Sequence, residues 1–287
     1  LVESGLTLAI RLYVVHLPSP TQAAWQAAVV EAAARAGWDV FSLVADQEPA
    51  FRDGVDALVQ GVDANLIFDR ASEAFILAGT AQSGVDTLMQ IHELDRKTAL
   101  NSVAWWFAQA AEAASRGAII LDATSATLTL PGLGEVARSA GRPVRTTDLG
   151  DPLAMYGSLP PAVGASALWP MDILLWESGR EPGFTDLTGR SRLIQHGPYL
   201  LLSSGTWAAE IVFELMIDRA FAQLRFDWGD GTDVTETSQR LSTAGVYSVT
   251  LVKSWDRPTT TELRIWLDRS MFDGFLKIKS TRITRLQ

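Results

Sequence analysis

Between residues 188 and 286 the chain alternates short apolar or alternating runs with polar turn clusters. The runs fall at 199–202, 207–215, 223–228, 247–253, 262–267 and 275–283. The clusters are Ser203-Ser204-Gly205, Gly229-Asp230-Gly231, Thr243-Ala244-Gly245 and Asp256-Arg257-Pro258. A period of two places alternate side chains on opposite faces. Strands at this spacing, with Gly, Asp and Pro between them, predict an all-β sandwich or jelly roll.

The first half has a different grammar. It predicts strands at 6–15, 39–45, 64–68, 118–122 and 143–147, with helices at 23–36, 49–60, 85–116 and 133–140. Ser19-Pro20 fits a helix start and Gly37 a helix stop. Strand–helix alternation predicts a Rossmann-like parallel sheet with helices on both faces. Between the halves, Pro152, Pro160, Pro161, Pro170 and Pro182 rule out a long helix or a central strand. The expected organisation is an α/β domain over 1–150, an ordered Pro/Gly-rich connector over 151–187 and a β-sandwich over 188–287.

Apolar residues make up 47% of the 287, enough for a core without covalent staples. The chain has no cysteine, which excludes disulfides, thiolate metal sites and cysteine nucleophiles. No apolar run is long enough for a membrane-spanning helix. Residues 1–15 lack the basic start and cleavage site of a signal peptide. Residues 1–180 carry 11 basic and 20 acidic side chains, and 181–287 carry 13 of each. Neither half has a basic stripe, so nucleic acid is not an expected partner. The compartment is left open: bacterial cell surface, particle surface or cytoplasm.

Candidate chemistry is sparse. The strand ends expected to form an α/β site carry His16, Asp122 and Asp148, the set an enzyme would use; the two carboxylates serve equally well as caps. Leu130-Pro131-Gly132-Leu133-Gly134 is the nearest approach to a phosphate-binding glycine pair, without the third glycine or a P-loop lysine. His92-Glu93 begins like a zincin motif, but Arg96 stands where the second His belongs. No metal or cofactor is expected. Trp105-Trp106 lies on a helix where only one ring can face the core. Trp207, Trp228, Trp255 and Trp266 lie in or beside strands, where a ring either fills the core or stacks on a sugar.

These residues carry two resemblances. Asp227-Trp228-Gly229-Asp230-Gly231-Thr232, with Gly245-Val246-Tyr247-Ser248-Val249-Thr250-Leu251, resembles the turn and strand of PKD-type immunoglobulin-like modules. The wider stretch, with Gly197-Pro198-Tyr199, an apolar strand and Gly205-Thr206-Trp207, resembles the β-sandwich found beside proteobacterial glycosyltransferases. It is also similar to carbohydrate-binding-module jelly rolls. Neither resemblance carries catalytic residues across. Together they imply a non-enzymatic protein whose sandwich recognises a bacterial surface or capsular polysaccharide, as a spike or fibre of a phage-like particle would. The ligand contacts expected are Tyr199, Trp207 and Trp228 as stacking rings, with Asp230 and Asp233 as hydroxyl partners. The rivals are a glycosyltransferase or other glycan-modifying enzyme, and a structural subunit of a larger protein assembly.

Overall fold

The computed structural model describes residues 11–42, 51–64, 73–176, 184–218 and 221–287. They fall into two compact units, one of Leu1–Ala99 with Gln109–Thr146, the other of Leu100–Ala108 with Thr147–Gln287.

The N-terminal unit holds a five-stranded sheet of β1 (Arg11–His16), β2 (Asp39–Ser42), β3 (Ala57–Gly61), β4 (Glu73–Ala78) and β5 (Ile119–Asp122). Every pairing is parallel, and the spatial order is β2-β3-β1-β4-β5. The helices are α1 (Gln22–Arg35), α2 (Ala81–Ile91) and α3 (Arg96–Ser115). A hairpin of β6 (Thr127–Leu130) and β7 (Gly134–Ala137) completes it. Trp25 and Val29 of α1, with Leu130 and Val136 of the hairpin, share one core with Leu12, Val14, Leu58, Phe75 and Leu77 of the sheet.

Several expectations for this half need correction. The helix at 49–60 is replaced over its last residues by β3. Asp53-Gly54, with Gly54 at φ +71°, turns the chain just before that strand. The helix at 85–116 is two helices, because Glu93 takes a left-handed conformation and Asp95 caps α3 through the Thr98 amide at 3.1 Å. The helix at 133–140 is instead β7. Gly132 and Gly134, at φ +72° and +71°, make the hairpin bend that a helix cannot contain. No strand forms at 143–147, β4 was not foreseen, and 65–68 of the expected strand at 64–68 lies outside the described residues. Among the described residues three helices accompany five parallel strands, so the alternation of a doubly wound sheet is only partly present. On α3, Phe107 takes the buried position, while Trp105 is exposed and Trp106 half-buried.

The C-terminal unit is a β-sandwich. Its strands are β8 (Ser166–Trp169), β9 (Leu175–Trp176), β10 (Phe184–Asp186), β11 (Arg192–Leu202), β12 (Gly205–Met216), β13 (Ala222–Gly229), β14 (Val234–Leu241), β15 (Gly245–Trp255), β16 (Thr259–Leu267) and β17 (Phe275–Arg285). One sheet runs β10-β17-β12-β15, with β8 also paired to β17; the other runs β14-β13-β16-β11-β9. All pairings are antiparallel. The segment 151–187, expected as a connector, therefore supplies edge strands to both sheets. Pro152, Pro160, Pro161 and Pro170 lie outside these strands.

Aromatic rings join the two sheets. Phe213 of β12 meets Phe226 of β13 with centroids 5.2 Å apart, and Trp228 of β13 meets Trp255 of β15 edge-on at 5.1 Å. Gly229 ends β13 where a Cβ would stand 2.1 Å from the Asp233 carbonyl, so only glycine fits that approach. Gly231, at φ +94°, turns the chain into β14.

Candidate functional site

The outer face of the second sheet carries a connected network of charged and aromatic side chains. It arises from period-two alternation on β13 and β16. Thr261, Leu263, Ile265 and Leu267 are buried toward the other sheet, which turns Glu262, Arg264 and Trp266 the other way, half-buried. Antiparallel register then sets Arg225 beside Trp266 and Asp227 beside Arg264. On the outer flank Glu236 of β14 stands opposite Asp227; on the inner flank His196 of β11 stands beside Arg264.

Asp227 is the hub. Its carboxylate is fully buried, although its strand position points away from the apolar core. Trp266 Nε1 donates to Oδ2 at 2.8 Å, Arg225 Nη1 donates to the same oxygen at 3.0 Å, and Arg264 Nε donates to Oδ1. A charge removed from water needs such partners. Burial works against the charge of Arg264, but the hydrogen bond and field of Asp227 outweigh it and hold that pKa above its usual value. Arg225 also reaches Glu236 at 3.5 Å and Asp268 at 3.3 Å, and its guanidinium lies 4.9 Å from the centre of the Trp266 ring. The indole is thus fixed at its nitrogen and flanked by a cation.

Tyr199 adds a second aromatic group. It falls at a register irregularity of β11, between Pro198 opposite Glu262 and Leu200 opposite Thr261. Its φ is +67°, uncommon for a residue with a side chain, and the extra residue re-aims the ring. Tyr199 Oη donates to Glu262 Oε1 at 2.8 Å and lies 2.6 Å from His196 Nδ1. With the tyrosine donating to the carboxylate, its oxygen accepts from His196 Nδ1–H. A neutral imidazole then presents an acceptor at Nε2. Burial, then the hydrogen bond and charge of Glu262, push the Tyr199 pKa up to about 12, so the phenol stays protonated near neutral pH.

The other expected ligand contacts lie elsewhere. Trp207 and Trp228 are both fully buried, with no ring face free for a sugar. Alternation on β12 and β13 sends both rings between the sheets, which corrects their expected stacking role. Asp230 Oδ1 accepts from the Thr232 and Asp233 amides at 3.0 and 2.7 Å, closing the turn between β13 and β14; these backbone hydrogen bonds lower its pKa. Asp233 pairs with Lys253. Trp266, grouped in the sequence with three other strand tryptophans, is the one set on this polar face, and Asp227 and the two arginines were not singled out. The readable signal was alternation: Trp266 shares its parity with Glu262 and Arg264, not with Leu263 and Ile265.

The strand ends of the N-terminal unit hold His16 and Asp122, whereas Asp148 is exposed and belongs to the C-terminal unit. Asp122 accepts from the Thr124 hydroxyl and amide at 2.7 and 2.8 Å and so shapes a turn. The chain covers its own strand ends here. Thr21 Oγ1 and Trp25 Nε1 both donate to the Ala123 carbonyl, at 2.8 and 2.9 Å, and the Arg142 amide donates to that of Pro20 at 2.9 Å. The glycine pair at 132–134 lies in the β6–β7 turn with no helix after it, so it lacks the strand-to-helix geometry that cradles phosphate.

His16 is buried, and burial lowers its pKa from 6.5 to about 4, with Gln60 opposing the shift. Gln60 is near enough to have that effect, yet neither ring nitrogen closes a hydrogen bond. The unfolded chain therefore binds a proton at this site between about pH 6.5 and 4 while the folded chain does not. Stability is full above pH 6.5 and falls as pH drops toward 4, by about 3 kcal/mol if the shift is complete. Urea unfolding of the full chain across that range should show the loss, and His16→Leu should remove most of it. An unchanged slope in the variant would place the pH dependence elsewhere.

No family model and no curated protein matches the sequence. Among solved structures, the chain is similar to the CBM22-1 xylan-binding domain of Paenibacillus barcinonensis Xyn10C, at 11% identity over 43% of this chain and 83% of that one, with a TM-score of 0.26. It is similar to a family 16 carbohydrate-binding module at 12% identity, over 42% and 85%, with a TM-score of 0.26. It is also similar to a glycosylation-associated protein (Gap123) complex from Streptococcus agalactiae at 10% identity, over 86% and 49%, with a TM-score of 0.29. Likenesses at TM-scores this low carry no argument about the site, which stands on its own residues.

Proposed function

We propose that the C-terminal sandwich recognises a glycan on the outer face of its second sheet, with Trp266 as the stacking ring and Tyr199 as a second aromatic contact at the Glu262 end of β16. The observation that carries this reading is the setting of Trp266. A half-buried indole is pinned by Asp227 among charged groups whose outer atoms can bond hydroxyls. A sugar offers the same combination, a C–H face to lie on a ring and hydroxyls around its rim. Such a face suits recognition of a polysaccharide at a bacterial surface or capsule, and a particle spike or fibre is one place for such a module.

The test is a glycan array with the full chain, followed by titration of any hit. Trp266→Ala should weaken binding by about tenfold or more, the loss expected for removing one stacked ring. Trp266→Phe keeps a ring while losing the bond to Asp227, and should bind more weakly than the parent but more tightly than Trp266→Ala. A folded Trp266→Ala protein that binds as tightly as the parent would sink the proposal. Tyr199→Phe should weaken binding less than Trp266→Ala, because it removes only the hydroxyl.

A further inference from the structure

The charges on this face identify the class of glycan it would take, an inference that rests on the glycan reading above. Four carboxylates stand on or beside it: Asp227, Glu236, Glu262 and Asp268. The cations are Arg225 and Arg264, and Arg240 at the far end of β14, where it stacks on Phe221 at 4.1 Å. Carboxylates outnumber guanidiniums even with Arg240 counted.

The two central guanidiniums are already committed. Arg225 is held by Asp227, Glu236 and Asp268, and Arg264 by Asp227 and Glu262. An anionic sugar accepting from a guanidinium N–H would have to bring a further negative charge beside Glu236, Glu262 or Asp268, while the charge of each arginine is already shared with Asp227. A neutral diol makes no such demand. One hydroxyl donates to an outer carboxylate oxygen while its neighbour accepts from a guanidinium N–H, and both ion pairs stay closed.

We infer that this face takes a neutral, hydroxyl-rich glycan and rejects polyanionic ones such as polyuronates. Selectivity comes from carboxylates in excess and from arginines locked to a buried aspartate.

The experiment uses the full chain and two matched panels: neutral gluco-, galacto- and manno-configured oligosaccharides, and uronic-acid oligomers of the same lengths. The tightest neutral oligomer should bind about tenfold or more tighter than its uronate counterpart, and added salt should narrow the gap by screening. Because the chain carries a formal net charge of −9, long-range repulsion has to be separated from the local effect. Glu236→Gln removes one exposed carboxylate from the face and should raise uronate affinity relative to neutral. Glu31→Gln, an equal charge change on α1 of the other unit, should leave the ratio unchanged. A uronate that binds as tightly as the neutral oligomer, or equal shifts from the two variants, overturns this inference alone. If no member of either panel binds, the glycan reading itself fails and this inference falls with it.

Discussion

Replacing Asp227 with alanine is expected to destabilise the C-terminal unit by about 3–5 kcal/mol, the cost of removing one partner from a buried ion pair. The carboxylate is fully buried and collects Arg225, Arg264 and the Trp266 indole. Without it, two guanidiniums held over the sheet lose their common acceptor and the indole N–H loses its bond. Asp227→Asn keeps an acceptor but not the charge, and should cost less. Chemical denaturation of the full chain gives both values. If alanine costs under about 1 kcal/mol, the two arginines find other partners or water, and Asp227 is not the hub of the face. The same variant should weaken ligand binding even where it remains folded, because the indole is no longer fixed.

Trp228→Ala is the second large effect, again about 3–5 kcal/mol, but through a cavity rather than lost charge pairing. The ring is fully buried and meets Trp255 edge-on between the two sheets. Its neighbours belong to a sheet pinned by backbone pairing to Leu263 and Thr235, so the space cannot close freely. Trp228→Phe should recover part of the loss by refilling some of the volume. At temperatures where Trp228→Ala is still folded, ligand affinity should stay near that of the parent, the reverse of Trp266→Ala. A Trp228→Ala protein of parental stability would contradict the core assignment, and one that is stable but unable to bind would restore this ring as a ligand contact.

Trp228 and Trp266 look alike in the sequence and differ only in which face of a strand they take. The sandwich was legible because its strands alternate and its turns carry Gly, Asp and Pro, both local properties of the chain. The parallel sheet was legible only in part. Its buried strands show no alternation, so 57–60 reads as helix, and the β6–β7 hairpin resembles a helix start until the left-handed glycines are seen. Tyr199 was found as the aromatic residue that opens the apolar run 199–202, but not the irregularity in β11 that aims it, since that depends on pairing with β16.

The sequence by itself determined that β13 and β16 would each have one apolar face, because alternation is written residue by residue. It did not determine which strands lie side by side. Only tertiary pairing brings Asp227 beside Arg264 and Arg225 beside Trp266, across 37 and 41 positions of chain. The field, burial and geometry of that face come from neighbours distant in sequence. Electrostatics acts over ångströms of space, whereas propensity and period act over a few residues of chain.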